Sequence, residues 1–261
     1  MNKNYYPKQL PYLLDKEFQE NIEYKEYYME ELKDCAMCIW TMQSKRKLDK
    51  TIYNYILPDA CIDIVIDFQC STILFAGFSK ETIPFQLSQT IDYMGVRLKP
   101  SVFYSIFHID ASSIMDAPIN FFHIEKNSHL ETIFQLKNIK ERISFLMQYL
   151  CTKMEEGFHS EYVDIVNELY ENPKEQTVEL IAKRFGYDTR HLFRLFKKQY
   201  GISPKVLLNI LRLHLSLTLL LEKNQSLQDI LEICGFYDQS HFIKEIKKYT
   251  GFSPLELIEK Y

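Results

Sequence analysis

Between residues 36 and 100 the chain alternates apolar and polar positions in short bursts. In CIDIVIDF, Ile62, Ile64, Ile66 and Phe68 alternate with Asp63, Val65 and Asp67. A period of two sends one set of side chains to a buried face and the other to a wetter one, as in a half-buried strand. CIWTM, YNYIL, TILFAGF and IDYMGVRL are rich in β-branched and aromatic residues and predict further strands. Pro58-Asp59, Gln69 to Ser71, Ser79-Lys80-Glu81 and Ser88-Gln89 punctuate them as turns. Short strands in series predict a small β sandwich or barrel.

After Pro100 the period lengthens. Ser101 to Phe107 reads as a short helix with Ser101 at its cap, and residues 112–128 read as irregular. Ile139 to Lys153 carries a helical stripe of Ile143, Leu146, Met147 and Leu150. Ser160 to Glu171 continues it with Val163, Val166, Leu169 and Tyr170. Asn172-Pro173 ends this run and reads as a boundary. The pattern therefore predicts an α+β domain over residues 1–171, with a small sandwich or barrel plus helices, followed by an all-α domain over 173–261.

The all-α part contains one object twice. DTRHLFRLFKKQYGISP and DQSHFIKEIKKYTGFSP lie 50 residues apart and share Asp, His, Lys-Lys, Gly and Ser-Pro in register. Asp188 and Asp238 suit N-caps, Gly201 and Gly251 suit left-handed stops, and Ser203-Pro204 and Ser253-Pro254 suit restarts. A shorter helix precedes each copy, Thr177 to Phe185 and Ser226 to Cys234, with Ser226 and Asp229 spaced as a capping box. Two short helices around a tight turn are a helix-turn-helix pattern. Lys205 to Glu222 reads as one long apolar linker helix between the pairs.

The second helix of each pair is two-faced. Leu192, Leu195 and Phe196 form one core stripe, and Phe242, Ile246 and Tyr249 the other. Arg190, Phe193, Arg194 and Lys197 share the opposite face in the first unit, as do Ser240, Ile243, Lys244 and Lys247 in the second. Arginine pairs bidentately with guanine and lysine neutralises phosphate, so such faces suit a major groove. The charge distribution agrees: residues 173–261 hold 14 Lys/Arg and 10 Asp/Glu, whereas residues 1–172 hold 17 and 25.

These residues resemble the C-terminal domain of AraC/XylS-type transcription regulators, carried by IAKRFGYDTRHLFRLFKKQYGISP and ILEICGFYDQSHFIKEIKKYTGFSP. The resemblance implies base-facing roles for Arg190, Phe193 and Arg194, and for Gln239, Ser240 and Lys244. It implies phosphate contacts near His191, Lys197, Lys198, Lys247 and Lys248. Glu245 stands where the family carries an apolar residue, and Phe193 and Ile243 are apolar on faces turned to DNA. The second unit is thus expected to be the weaker reader. YILPDACIDIVIDF, the AGFS turn and MGVRLKPSVFYSIF are similar to a β-rich, sensor-like subgroup whose N-terminal domain is uncharacterised.

The implied function is a sequence-specific transcription regulator, of activator type, with promoter DNA and RNA polymerase as partners. An unknown small-molecule effector, a homodimer, or both would act through the N-terminal domain. The rival reading is a protein-interaction module that keeps the fold without reading DNA. Trp40, Tyr53, Tyr55 and Phe75 are the expected effector pocket. No GxSxG, P-loop or HExxH motif is present, and neither an enzyme nor a cofactor is expected. Cys35 and Cys38 bracket a CxxC, but with Cys61 and Cys70 on strands the reading is buried free thiols rather than metal. Asp63 and Asp67 share a strand face and read as wet surface rather than a catalytic pair. MNKNYYPKQLPY lacks a secretory apolar core, and the linker helix reads as too charged at its ends for a membrane span, so a cytoplasmic site is expected.

Overall fold

The computed structural model describes residues 4–9, 15–115, 117–159 and 161–260. Helix α1 (Lys16–Asn21) leads into β1 (Ile22–Tyr27), followed by β2 (Ala36–Ser44), β3 (Leu48–Ile56), β4 (Ile62–Asp67), β5 (Thr72–Ala76), β6 (Ile83–Gln89) and β7 (Asp92–Leu98). Helix α2 (Val102–Phe107), a 3-10 turn over Ala111–Ile114, β8 (Ile119–Asn120) and α3 (Phe121–Ile124) come next. Helices α4 (Ile139–Glu155) and α5 (Glu161–Glu171) complete this region; the expected start at Ser160 lies outside the described residues.

Six strands form one antiparallel sheet in the order β1-β2-β7-β4-β5-β8, while β3 and β6 form a separate two-stranded ribbon. The alternation read in CIDIVIDF is real: Ile62, Ile64 and Ile66 are buried on one face of the sheet. There they join Ile39, Phe75, Val96 and Leu98, and pack on Phe103, Phe107, Leu146 and Leu150 from α2 and α4. Trp40 and Met42 point to the other face, where the ribbon covers them with Ile52 and Leu87. Gly95 lies under the Trp40 ring, and a methyl there would stand 2.4 Å from it, so the indole packs flat against bare backbone.

Two strands and one cap differ from expectation. Strand β1 reads IEYKEY, and its charges hide a face on which only Ile22 is fully buried. Strand β6 runs through Ser88 and Gln89, which the sequence marks as a turn; of its residues only Leu87 is buried, so pairing with β3 creates it. Ser101 precedes α2 but makes no side-chain cap there. Its hydroxyl instead donates to Gln199 Oε1 at 3.1 Å, across to the C-terminal helices. The stretch expected to be irregular also contains the 3-10 turn, β8 and α3.

The C-terminal region comprises α6 (Val178–Phe185), α7 (Thr189–Tyr200), α8 (Pro204–Glu222), α9 (Leu227–Cys234), α10 (Gln239–Thr250) and α11 (Pro254–Lys260). Helix α8 is long and apolar enough to cross a membrane by length and composition, with mean hydropathy 1.4. It is a core helix here, with 67% of that stretch buried by both helix pairs and the sheet region. The core containing Trp40 runs without a break through Tyr5 and Tyr170 into Leu208, Leu211 and Phe242.

Candidate nucleic-acid interface

The repeated helices end where local chemistry dictates. Asp188 accepts from the His191 amide at 2.7 Å and Asp238 from the His241 amide at 2.8 Å, each satisfying an orphan donor of the first turn. Gly201 and Gly251 adopt φ of 75° and 79°, closing α7 and α10. Ser203 caps α8 with Pro204 at its first position, and Ser226 and Asp229 form a reciprocal capping box. Each cap fixes a helix start to within a turn, so both second helices present defined faces.

Leu192 and Phe196 are buried beneath α7 with Leu195 half-buried, and Phe242 and Ile246 are buried beneath α10 with Tyr249 half-buried. On the outer face of α7, Arg190, Phe193, Arg194 and Lys197 are all exposed, Phe193 by 41%. On α10, Gln239, Ser240, Lys244, Lys247 and Lys248 are exposed, and Ile243 is half-buried. The structure thus brings together four side chains on the first helix and a thinner polar-basic set on the second.

Two expected contacts, Lys198 and His191, have partners within the chain, as does His241 at the repeat position of His191. The Lys198 ammonium stands 4.7 Å from the centroid of the Tyr104 ring in α2, so it is turned to the N-terminal region rather than outward with Arg194. The His191 ring packs on Tyr187 at 4.2 Å, and the His241 ring lies 5.7 Å from Phe236. Each histidine therefore rests on an aromatic of its own turn.

The expected effector pocket does not assemble. Trp40 and Phe75 lie in different cores on opposite faces of the sheet, because the relative phase of β2 and β5 places them so. Tyr53 and Tyr55 sit on the ribbon, 40% and 43% exposed. Cys35, Cys38 and Cys61 are buried free thiols and Cys70 is exposed, and burial pushes Cys35 and Cys38 up to about 12. Asp67 accepts from the Gln69 and Cys70 amides in the turn after β4.

Asp63, by contrast, is not wet. It faces Arg97 directly across β4 and β7, with Oδ1 3.3 Å from Nε, and Trp40 Nε1 donates to its Oδ2 at 2.9 Å. Asp59 Oδ2 lies 3.7 Å from the same guanidinium and accepts from Gln9 at 2.8 Å. Burial raises both carboxyls, Asp63 to about 6, against the pull of Arg97. Asp67 of the same strand accepts from the turn that follows it, so the difference between the two aspartates comes from the pairing of β4 with β7 and not from the alternation within β4.

Residues 181–260 match the model of a helix-turn-helix domain family. That match runs from within α6 to the end of α11 and so takes in both second helices and the linker helix between the pairs. The C-terminal region is an AraC-type helix-turn-helix domain. Residues 29–120 match a domain of unknown function, DUF6597, which spans most of the sheet before this AraC-type domain. An uncharacterized HTH-type transcriptional regulator of Bacillus subtilis, YtdP, is 27% identical over 52% of this chain and 19% of its own length. The lactose operon transcription activator of Staphylococcus xylosus is 35% identical over 36% of this chain and 33% of its own length. Thus this chain matches a third or less of the length of either relative. A solved AraC-type regulator structure from Chromobacterium violaceum is 28% identical, covering 36% of this chain and 86% of that one at a TM-score of 0.34.

Proposed function

We propose that this protein is a sequence-specific DNA-binding regulator of transcription acting in the cytoplasm. The observation that carries the reading is the matched pair of capped helices, α7 and α10, each with an exposed polar-basic face. Arg190 and Arg194 are the principal base readers, with Phe193 against a thymine methyl, and Lys197 sits at the phosphates. Gln239, Ser240 and Lys244 read a second, adjacent major groove about 34 Å along the duplex, one helical turn on. Lys247 and Lys248 hold the backbone there, and the weaker face of α10 makes positioning its main task. The region before residue 173 is the effector-responsive or dimerising part, and RNA polymerase is the downstream partner.

Gel-shift titration of the full-length protein on its own promoter, at two salt concentrations, tests this. Affinity is expected to fall by about 10² or more between ~50 and ~200 mM salt, as several phosphate contacts require. Arg194→Ala is expected to cost about 1–3 kcal/mol on the specific site and to relax its sequence preference. Absence of binding at low salt sinks the reading in favour of a protein-interaction module.

A further inference from the structure

An open cavity of about 620 Å³ lies between the N-terminal strap, the end of β1 and the linker helix α8. Three phenols from three separate segments line it: Tyr6, Tyr28 and Tyr170. Tyr6 and Tyr28 place their hydroxyls 2.9 Å apart and both donate to Glu26 Oε2, while Tyr24 donates to Oε1 at 2.8 Å. Burial would push the Glu26 carboxyl up, but the phenols and Arg97 outweigh it and hold the group below the usual carboxylate range. A charged carboxylate thus accepts from the phenols and makes the potential around their rings more negative.

The rim adds to this polarity. Glu171 and Glu222 line the cavity from the ends of α5 and α8. The one lysine among the lining residues, Lys8, has its ammonium 5.9 Å from the centroid of the Tyr6 ring, so a cation of the chain itself already occupies the aromatic face. Aromatic faces combined with carboxylates attract cations and disfavour anions. Leu215 and Thr218 of α8 form part of the wall, and the Thr218 hydroxyl lies 3.2 Å from that of Tyr170. A molecule held here touches the strap and the DNA-binding region's linker helix at once.

We infer that this cavity binds a small organic cation, an ammonium group carrying apolar substituents. The cation takes the place of the Lys8 ammonium over the tyrosines, with Glu222 and Glu171 as counter-charges. As the effector site of the chain this rests on the regulator reading above, since it joins the sensor-like region to α8.

Calorimetric titration of the full-length protein with choline, and with 3,3-dimethylbutan-1-ol as its uncharged isostere, decides the matter. Choline is expected to bind at one site per chain, about tenfold more tightly than the alcohol. Tyr28→Ala and Glu222→Gln, both at exposed positions, are expected to weaken choline roughly three- to tenfold, with the urea midpoint of each variant checking that the fold is kept. Lys8→Met is expected to strengthen it, because the competing ammonium is gone. Equal affinity for the two probes, no choline binding, or variants that bind as the parent does would overturn the inference. Gel shifts of the same preparation without choline keep the two readings apart. Specific DNA binding with no choline binding overturns only the cavity. Choline binding with no DNA binding supports the cavity and overturns the regulator.

Discussion

His214 is fully buried in α8, where its Nδ1 accepts from the Lys8 amide at 3.0 Å and its Nε2 lies 2.7 Å from the Pro58 carbonyl. Only the neutral ring with hydrogen on Nε2 satisfies both partners. Burial pushes the imidazole down to about 4, assisted by Arg97 and Lys8 and opposed by the Pro58 carbonyl. With the folded value below the unfolded one, the stabilisation is complete above about pH 6.5 and is lost as pH falls toward 4, roughly 3 kcal/mol in all. Asp63 works the other way. Its folded value is raised to about 6, so its contribution is complete below about pH 4 and is lost as pH rises through 6. The two run in opposite directions between about pH 4 and 6.5, so the parent's own profile isolates neither. His214→Gln leaves Asp63 alone, so the stability gap between variant and parent closes by up to about 3 kcal/mol on acidification over that window. Urea midpoints at three pH values measure this, and a constant gap contradicts it.

At the scale of elements, the two copies of the repeat share their chemistry and differ in what surrounds them. A methyl at Gly201 would stand 2.9 Å from Met115 Sδ and 3.2 Å from the Ala111 carbonyl, because α7 is seated on the 3-10 turn. At Gly251 nothing lies within 4 Å. Both residues are left-handed, so alanine costs about 1 kcal/mol of backbone strain at either position. Gly201→Ala adds overpacking of about 1–3 kcal/mol. Urea unfolding is expected to show Gly201→Ala losing more by that margin, and equal losses would mean that α7 does not lean on the N-terminal region. The caps and stops were legible because each is a contract between residues one to four positions apart. Strand β6 was not, since it takes its conformation from β3 and includes Pro84 among exposed neighbours. The exposed face of α7 was legible from helical spacing alone. The turn of Lys198 toward Tyr104, the burial of Asp63 against Arg97, and the separation of Trp40 from Phe75 depend on which strands and helices meet, and no local spacing encodes that.

The whole molecule is held together across the expected boundary at Asn172-Pro173. The strap threads it: Tyr5 donates through its amide to Asn167 and through its hydroxyl to the Asp59 carbonyl, and Gln9 exchanges hydrogen bonds with Leu57. Tyr200 donates to the Tyr162 carbonyl at 2.6 Å, and Arg212 donates twice to the Pro173 carbonyl. The N-terminal region also reaches the second helix of each pair at its C-terminal end, through Ser101 to Gln199 on α7 and Thr82 to the Tyr249 carbonyl on α10. With one apolar core running from Trp40 to Phe242, neither region can open without exposing the other's interior. The two regions are therefore expected to unfold in a single transition. Trp40 is the sole tryptophan and reports on the sheet, while helical circular dichroism is weighted to the C-terminal helices. In urea the two signals should trace one curve with a shared midpoint. A helical transition preceding the loss of Trp40 burial would show that the AraC-type domain folds on its own and that the strap and the Ser101, Thr82 and Tyr162 contacts are too weak to couple it to the sheet.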